Sequence, residues 1–394
     1  MIEVHQGRLP TPFYARQKSL DRLNRWHNWN GYTVPDALYC ADHEYFAIRN
    51  ATAVFDLSPM NKYRITGPDA LAFLDRLLTR DLSSLRVGRV AYAVWCDGAG
   101  KVIDDGTVFR LADEDFRLCS AGRHAAWFAD SARGFDVDIV EETADVAALA
   151  VQGPTSFSVL QRMELEGLAP LKPFSHTSVD FGGWEILVSR TGFTGDLGYE
   201  LWLDPSQAEN VWDALFRAGE LTGIRAIGTE ALELSRIEAT FLAPGVDFLH
   251  ADETIRAGRS RSPFELGLDW LVDFGKPVFN GREALANERR RGSTWQLVRL
   301  DIEGNKPAAD AYVYAKPGKR DIGFVTSAAW SPICKQNIAL ATVRAPYGQV
   351  GSELWVEIYY QREMHWQRKM ARATVTGGPF WNPERRRLTP PLPY

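Results

Sequence analysis

Alternating apolar and polar positions flank one glycine-rich stretch, Ser189-Arg-Thr-Gly-Phe-Thr-Gly-Asp-Leu-Gly-Tyr-Glu-Leu201. Trp184, Ile186 and Val188 lead in at period two, and Tyr199, Leu201 and Leu203 lead out, which predicts two strands joined by a tight loop. Gly192, Gly195 and Gly198 recur at every third residue, permitting positive φ and close approach to a neighbour. Their spacing is not that of a dinucleotide fingerprint, and no helix opens directly afterwards. Glu200 begins the return strand, where a fixed carboxylate can accept two parallel N–H bonds from a flat heterocycle. The plainer reading is a hairpin with Glu200 in solvent.

Elsewhere the pattern predicts an aromatic turn at Trp26, Trp29, Asn30 and Gly31, a helix over 43–50 and a buried strand over 53–57. A strand over 62–66 is followed by Gly67-Pro-Asp-Ala70 opening a helix, with Leu71, Leu74, Leu77 and Leu78 at helical spacing. Two strands, 90–95 and 101–109, read as a hairpin around 97–100. Asp104 and Asp105 are neighbours in the second strand, so only one is expected to point inward, where a carboxylate needs partners or a task. The alternative is a frayed edge with both in solvent. A strand over 146–151, a helix to Met163, an amphipathic helix over 208–221 and a helix over 229–239 follow. Arg236 and Glu238 cannot share one face of that last helix, so one of them can point at a ligand, while a surface ion pair is the default for either. Residues 245–263 read as a loop in which Arg256, Arg259 and Arg261 either lie in solvent or pair an anionic group. Asn280 is expected to cap a helix over 282–291, and from Trp295 the strand-rich pattern predicts a separate all-β unit. The tail with Arg385-Arg-Arg387 and Pro390-Pro-Leu-Pro is expected to pack or fray.

Composition narrows the chemistry. At 394 residues, two or three domains are expected. A formal charge of −5 gives no global attraction to nucleic acid or an anionic membrane, and no apolar run approaches a membrane span. The N-terminus from Met1 to Gln6 shows no basic segment followed by an apolar one, so a cytoplasmic protein is expected. Cys40, Cys96, Cys119 and Cys334 are scattered, which argues against a zinc site or a disulfide framework. The histidines at 5, 27, 43, 124, 176, 250 and 365 lack paired ligand spacing, so the sequence indicates no metal. P-loop and nucleophile-elbow motifs are missing too. What remains is a pocket whose working groups are carboxylates and arginines.

Several segments, taken in order, resemble the glycine-cleavage T-protein (aminomethyltransferase) family. They are Phe55-Asp-Leu-Ser-Pro-Met60, Gly67-Pro-Asp-Ala70, Val102-Ile-Asp-Asp105, Leu149-Ala-Val-Gln-Gly-Pro154 and Ser189 to Leu201. Arg236-Ile-Glu-Ala239, Pro263-Phe-Glu-Leu-Gly-Leu268, Phe279-Asn-Gly-Arg-Glu-Ala-Leu285 and Gly323-Phe-Val-Thr-Ser327 with Ser331-Pro332 complete the series. Each piece is weak, but their collinearity from Thr11 to about Val343 is specific.

The resemblance implies a three-domain, cloverleaf-like α+β fold with a C-terminal β-barrel-like domain and tetrahydrofolate bound in a central hole. The expected domains are 1–56 with 146–279, an insertion at 57–145 carrying the Asp-Asp strand, and 280–394. Asp105 is then the acid beside the reacting folate nitrogen, and Glu200 holds the pterin. Arg236, Tyr199 and Met60 also belong to the cofactor site. Ser120 stands where the family has an asparagine, on the expected donor side, and Arg256, Arg259 or Arg261 is expected to hold a donor carboxylate or equally the folate glutamate tail. Departures at Pro59, Phe193, Leu232-Glu233 and Pro244 point to a different one-carbon donor. The implied activity is a tetrahydrofolate-dependent transferase demethylating a small N-methyl, sulfonium or methoxy compound. The alternatives are a true aminomethyltransferase with a lipoyl carrier protein as partner, and a non-catalytic folate-binding protein.

Overall fold

A computed structural model describes residues 8–256 and 258–392. The N-terminal reading over Met1 to Gln6, with His5, falls outside them, as does Pro393 of the tail. Three β-assemblies carry the architecture. A six-stranded sheet has the order His176–Phe181, Trp184–Ser189, Gly198–Leu203, Ala147–Gln152, Ala53–Asp56 and Arg225–Ala226, antiparallel except for its last pair. A five-stranded sheet has the order Val90–Cys96, Val102–Ala112, Asp115–Ser120, Asn61–Thr66 and Asp138–Glu141. The chain after Trp295 closes a six-stranded barrel, in line with the expected β unit. The whole is the mixed α/β fold with a terminal barrel that the sequence implied. Among the described residues, no helix is long and apolar enough to cross a membrane.

Every residue of Ala147–Gln152 and Gly198–Leu203 is buried, because both faces of the six-stranded sheet are covered. On one face Leu149, Val151, Tyr199 and Leu201 pack with Phe157, Val211, Trp212 and Leu215 from the helices Ser156–Arg162 and Ala208–Gly219. On the other, Ala148, Ala150 and Trp202 meet Tyr45, Ala47 and Ile48 of the helix Ala41–Asn50 and Ala231 of Thr229–Ala239. Strand alternation therefore sends Tyr199 and Glu200 to different faces.

Gly195, at φ +73°, leaves room for Ala239, whose Cβ would lie 2.4 Å from an added one, and the other two glycines share a different reason. A Cβ on Gly192 or Gly198 would lie 2.1 or 2.3 Å from the Gln152 amide, which threads between them. That amide donates to the Thr191 and Tyr199 carbonyls at 3.2 and 3.1 Å and accepts from the Thr194 hydroxyl at 2.9 Å. Two local expectations fail. Gly281, at φ +81°, precedes the helix Arg282–Arg291, while Asn280 reaches the Ser131 hydroxyl at 3.5 Å instead of capping. Arg236 and Glu238 are not a surface pair: both are wholly buried, on different sides of their helix.

Glu238 takes the Arg49 Nε–H at 2.9 Å and the hydroxyls of Tyr45 and Ser331, each at 2.6 Å. Arg49 also donates to the Thr194 carbonyl at 2.8 Å and stands 3.5 Å from Asp196. The tail packs onto this hub through Arg385 Nε to Asp196 at 2.7 Å and the Trp381 indole to Asp196 at 3.2 Å. Breaking such a buried pair strands a charge and costs about 3–5 kcal/mol. Arg49→Met should lose stability on that scale, and the double variant with Glu238→Gln should lose less than the sum of the singles. Urea unfolding of all three checks this, and additive losses would rule out the coupling.

Candidate functional site

The hairpin of Val90–Cys96 and Val102–Ala112 sets the site by register. Val94 lies opposite Asp105, Tyr92 opposite Thr107, and Thr107 opposite Cys119, which in turn faces Lys62. Tyr92, Val94, Asp105, Thr107, Cys119 and Lys62 thus share one face of the five-stranded sheet. Trp95, Asp104, Gly106 and Ser120 share the other. The expectation that only one acid points inward needs correcting. Asp104 is wholly buried and Asp105 is 9% exposed, because both faces of this sheet are covered. The frayed-edge reading fails with it.

Asp105 accepts the Tyr92 phenol through Oδ2. Its own N–H donates to Asp104 Oδ1 at 2.8 Å. Loss of solvent, reinforced by the neighbouring Asp104 charge, pushes the Asp105 carboxyl up to about 8. The carboxyl holds its proton near neutrality, and the same surroundings drive the Tyr92 phenol well above its ordinary value.

Glu200 is 9% exposed rather than solvated. It accepts from the Thr191 hydroxyl and, at 3.4 Å, from Ser189 Oγ, both on Oε2. Oε1 takes neither bond and is left for another donor. Burial pushes this carboxyl up to about 7, against which the two hydroxyls work. Glu200 lies opposite Ala150, whose face packs in one cluster with Trp202 and Cys119, so Glu200 stands near the face that carries Asp105.

Lys62 is the group that sequence reasoning missed, being read only as a strand residue. Its wholly buried ammonium donates to the carbonyls of Ser58 and Met60 at 2.8 and 2.9 Å, and burial pulls it down to about 8. Only the register of paired strands brings it to Cys119. Tyr92 was missed for the same reason.

Other expected residues divide. Met60 packs against the cluster holding Cys119, Ala150 and Trp202, on the Glu200 side of the sheet. Tyr199 lies in the opposite apolar core, its ring stacked on Phe157 with centroids 6.4 Å apart. The Arg236 guanidinium donates to Glu233, Asp247, the Ser327 hydroxyl and the Phe241 carbonyl. Ser120 faces away from Asp105 and donates to the Gly122 carbonyl at 2.8 Å. Arg256 is exposed, and Arg259 lies over the Phe324 ring at 5.6 Å. Arg261 is buried, donates to the Gly258 and Ser260 carbonyls, and covers the Trp295 ring at 4.9 Å. It supports the loop.

Two open clefts of about 590 and 600 Å³ lie elsewhere, one lined by Arg64, Arg117, His176 and Trp202 and the other by Arg80, Arg89 and Lys172. Their walls include neither Asp105 nor Glu200, and their lining offers no comparable pair of buried acids.

Residues 13–276 match the family described as the GCVT N-terminal domain, and residues 296–382 match the glycine cleavage T-protein C-terminal barrel domain. The chain belongs to the glycine-cleavage T-protein family. It is 33% identical over 354 residues to an aminomethyltransferase of Desulfitobacterium hafniense (strain Y51), covering 88% of this chain and 93% of that protein. It is also 36% identical over 376 residues to a trimethylamine-oxide aldolase of Ruegeria pomeroyi, covering 91% of this chain but 45% of that longer protein. The crystal structure of the glycine cleavage system aminomethyltransferase T from Bartonella henselae superposes with a TM-score of 0.83 at 23% identity, over 95% of this chain and 98% of that one. That likeness concerns the fold.

The raised Glu200 carboxyl has a consequence for stability. Its protonated form suits the site, an advantage fully present below about pH 4.5 and lost as pH rises through about 7. Glu200→Gln should therefore stabilise the fold at pH 8 by something on the order of 2–3 kcal/mol, with most of the gain gone at pH 5. Paired denaturant curves at the two pH values check this; an equal gain at both would show that the buried charge is not the cause.

Proposed function

We propose that this protein is a tetrahydrofolate-dependent one-carbon transferase that takes its carbon from a small methylated compound. The observation that carries the reading is Glu200, a buried carboxylate with both protein bonds on Oε2, near the sheet face of Asp105. A pterin edge with paired N–H donors suits the remaining Oε1, and a group bound there offsets the desolvation of the carboxylate. Tetrahydrofolate, when bound, supplies the nitrogen that carries the one-carbon unit.

The chain's own part is to bind, to orient and to keep water out. Glu200 fixes the pterin edge, and Met60 covers the apolar side of the site. Asp105, its Oδ2 held by Tyr92, is the acid beside the reacting nitrogen. Positioning of this kind removes much of the entropic barrier to a two-reactant step. Support for a methylated donor comes from the departures at Ser120 and Pro244 and from the likeness to a trimethylamine-oxide aldolase. A second reading, aminomethyl transfer from a lipoyl carrier protein, is favoured by the aminomethyltransferase relatives that match 88% of the chain.

Anaerobic calorimetry with tetrahydrofolate tests the site. Wild type should bind and Glu200→Ala should not; a wild type that fails to bind removes the proposal. Because a proton must leave Glu200, affinity should fall about tenfold per pH unit below 7, a slope that Glu200→Gln abolishes. Asp105→Asn should keep tetrahydrofolate affinity within a factor of about three while transfer falls roughly 10²–10⁴-fold, the range of a lost general acid or base. Turnover with N-methyl, sulfonium and methoxy donors, set against aminomethyl-lipoyl carrier protein, decides between the two readings.

A further inference from the structure

We propose that Asp104, His124 and His250 form a site for one divalent transition-metal ion of the zinc class. The three side chains come from the strand Val102–Ala112, the turn before the helix Ala125–Ser131 and the loop after Asp247. Each offers one ligand atom, and the three atoms lie within 4.8 Å of one another. Their sequence separation hid the group, since no motif spacing connects residues this far apart.

The surroundings are those that fix metal ligands in place. His250 Nδ1 is 2.7 Å from the Ile103 carbonyl oxygen. A carbonyl can only accept, so Nδ1 carries the proton and Nε2 keeps its lone pair. His124 Nε2 is 2.9 Å from Asp104 Oδ2, while its Nδ1 lies 3.6 Å from Asp252 Oδ2. When an ion takes the Nε2 lone pair, the proton resides on Nδ1, facing the Asp252 carboxylate. Asp104 is oriented by two N–H donors, Asp105 at 2.8 Å and Gly122 at 2.9 Å. Each ligand thus has an outer partner of the right polarity.

Two further observations point to an ion rather than a packed polar cluster. Gly122 leaves open the space between the ligands: a Cβ there would lie 2.6 Å from His124 Nε2 and 3.0 Å from Asp104 Oδ2. Asp104 is also a wholly buried carboxylate whose only ion-pair partner among the described residues is His124. A cation at this point compensates the buried charge, with the Trp95 and Phe128 rings excluding water beside His124 at centroid distances of 5.6 and 6.2 Å. Two imidazoles with one carboxylate select zinc-like ions over magnesium or calcium, and three protein ligands leave a coordination position towards the partly exposed His250 side. The ion would tie the strand bearing Asp105 to the arginine-rich segment, which already meets that strand through Ala251 N–H to the Val102 carbonyl at 3.0 Å.

The test uses the full chain, stripped with chelator and titrated calorimetrically with Zn²⁺ and, separately, Mg²⁺. One equivalent of Zn²⁺ should bind and raise Tm, while Mg²⁺ does neither. His250→Gln, at the partly exposed ligand, should weaken Zn²⁺ binding at least ~100-fold, and Asp252→Asn by about tenfold, the scale of a lost outer partner. Co²⁺ loaded in place of Zn²⁺ should give a visible d–d band that His250→Gln loses, with far-UV circular dichroism confirming an unchanged fold. Equal Zn²⁺ affinity in wild type and His250→Gln, or wild type without a Zn²⁺-dependent Tm shift, overturns the proposal.

Discussion

The buried pair of Arg49 and Glu238 is the interaction on which the rest of the structure depends. It joins the helix Ala41–Asn50 to Thr229–Ala239, and through Thr194, Ser331 and Asp196 it reaches the glycine loop, the barrel and the tail. One turn of the same helix sends Arg236 the other way, to Asp247 and Ser327, so a single element anchors two ionic networks on opposite sides. Charges buried this way add little net stability over apolar packing, but they tolerate very few alternative arrangements. Specific assembly of separate sheets around one helix is what the arrangement supplies here.

Around that frame, the acids of the site are kept in conditions that oppose their charge. Glu200 and Asp105 have only hydroxyl or phenol donors to offset desolvation, and no arginine or lysine pairs with either among the described residues. The structural acids Glu238, Asp196 and Asp247 all have guanidinium partners. The wholly buried Glu44 is held in a third way, by the backbone N–H groups of Leu38, Tyr39, Cys40 and Gly228. A buried carboxylate with neither a cation nor several backbone N–H donors is a candidate for contact with a bound group.

Much of the fold was legible in the sequence because its signals are local. Period-two alternation around 184–203, the Gly67-Pro-Asp-Ala70 helix start and the strand-rich pattern after Trp295 each report on a few neighbouring residues. Asp105 and Glu200 stood out as acids set among apolar strand residues, but the choice of Asp105 over Asp104 came from the family resemblance, and the burial of Glu200 was one of two open readings. What could not be read was which face a residue would occupy once two layers closed over it. Asp104, Arg236 and Glu238 were expected at a surface that tertiary packing removed, and Arg261 found Trp295 from a segment 34 residues distant in sequence. Lys62 and the two histidines depend on pairings between strands and loops far apart in the chain, where periodicity carries no information.

The attachment of Arg385 to Asp196 spans 189 residues and fixes the loop between the two strands that frame Glu200. During synthesis, that loop emerges from the ribosome long before the residue that clamps it. The barrel strands are all synthesised between the loop and the residue that holds it. Until Arg385 arrives, Arg49 is the one cationic side chain among the described residues beside Asp196, and the segment near Glu200 lacks one of its anchors. Fastening of the glycine loop is thereby coupled to translation through Arg385.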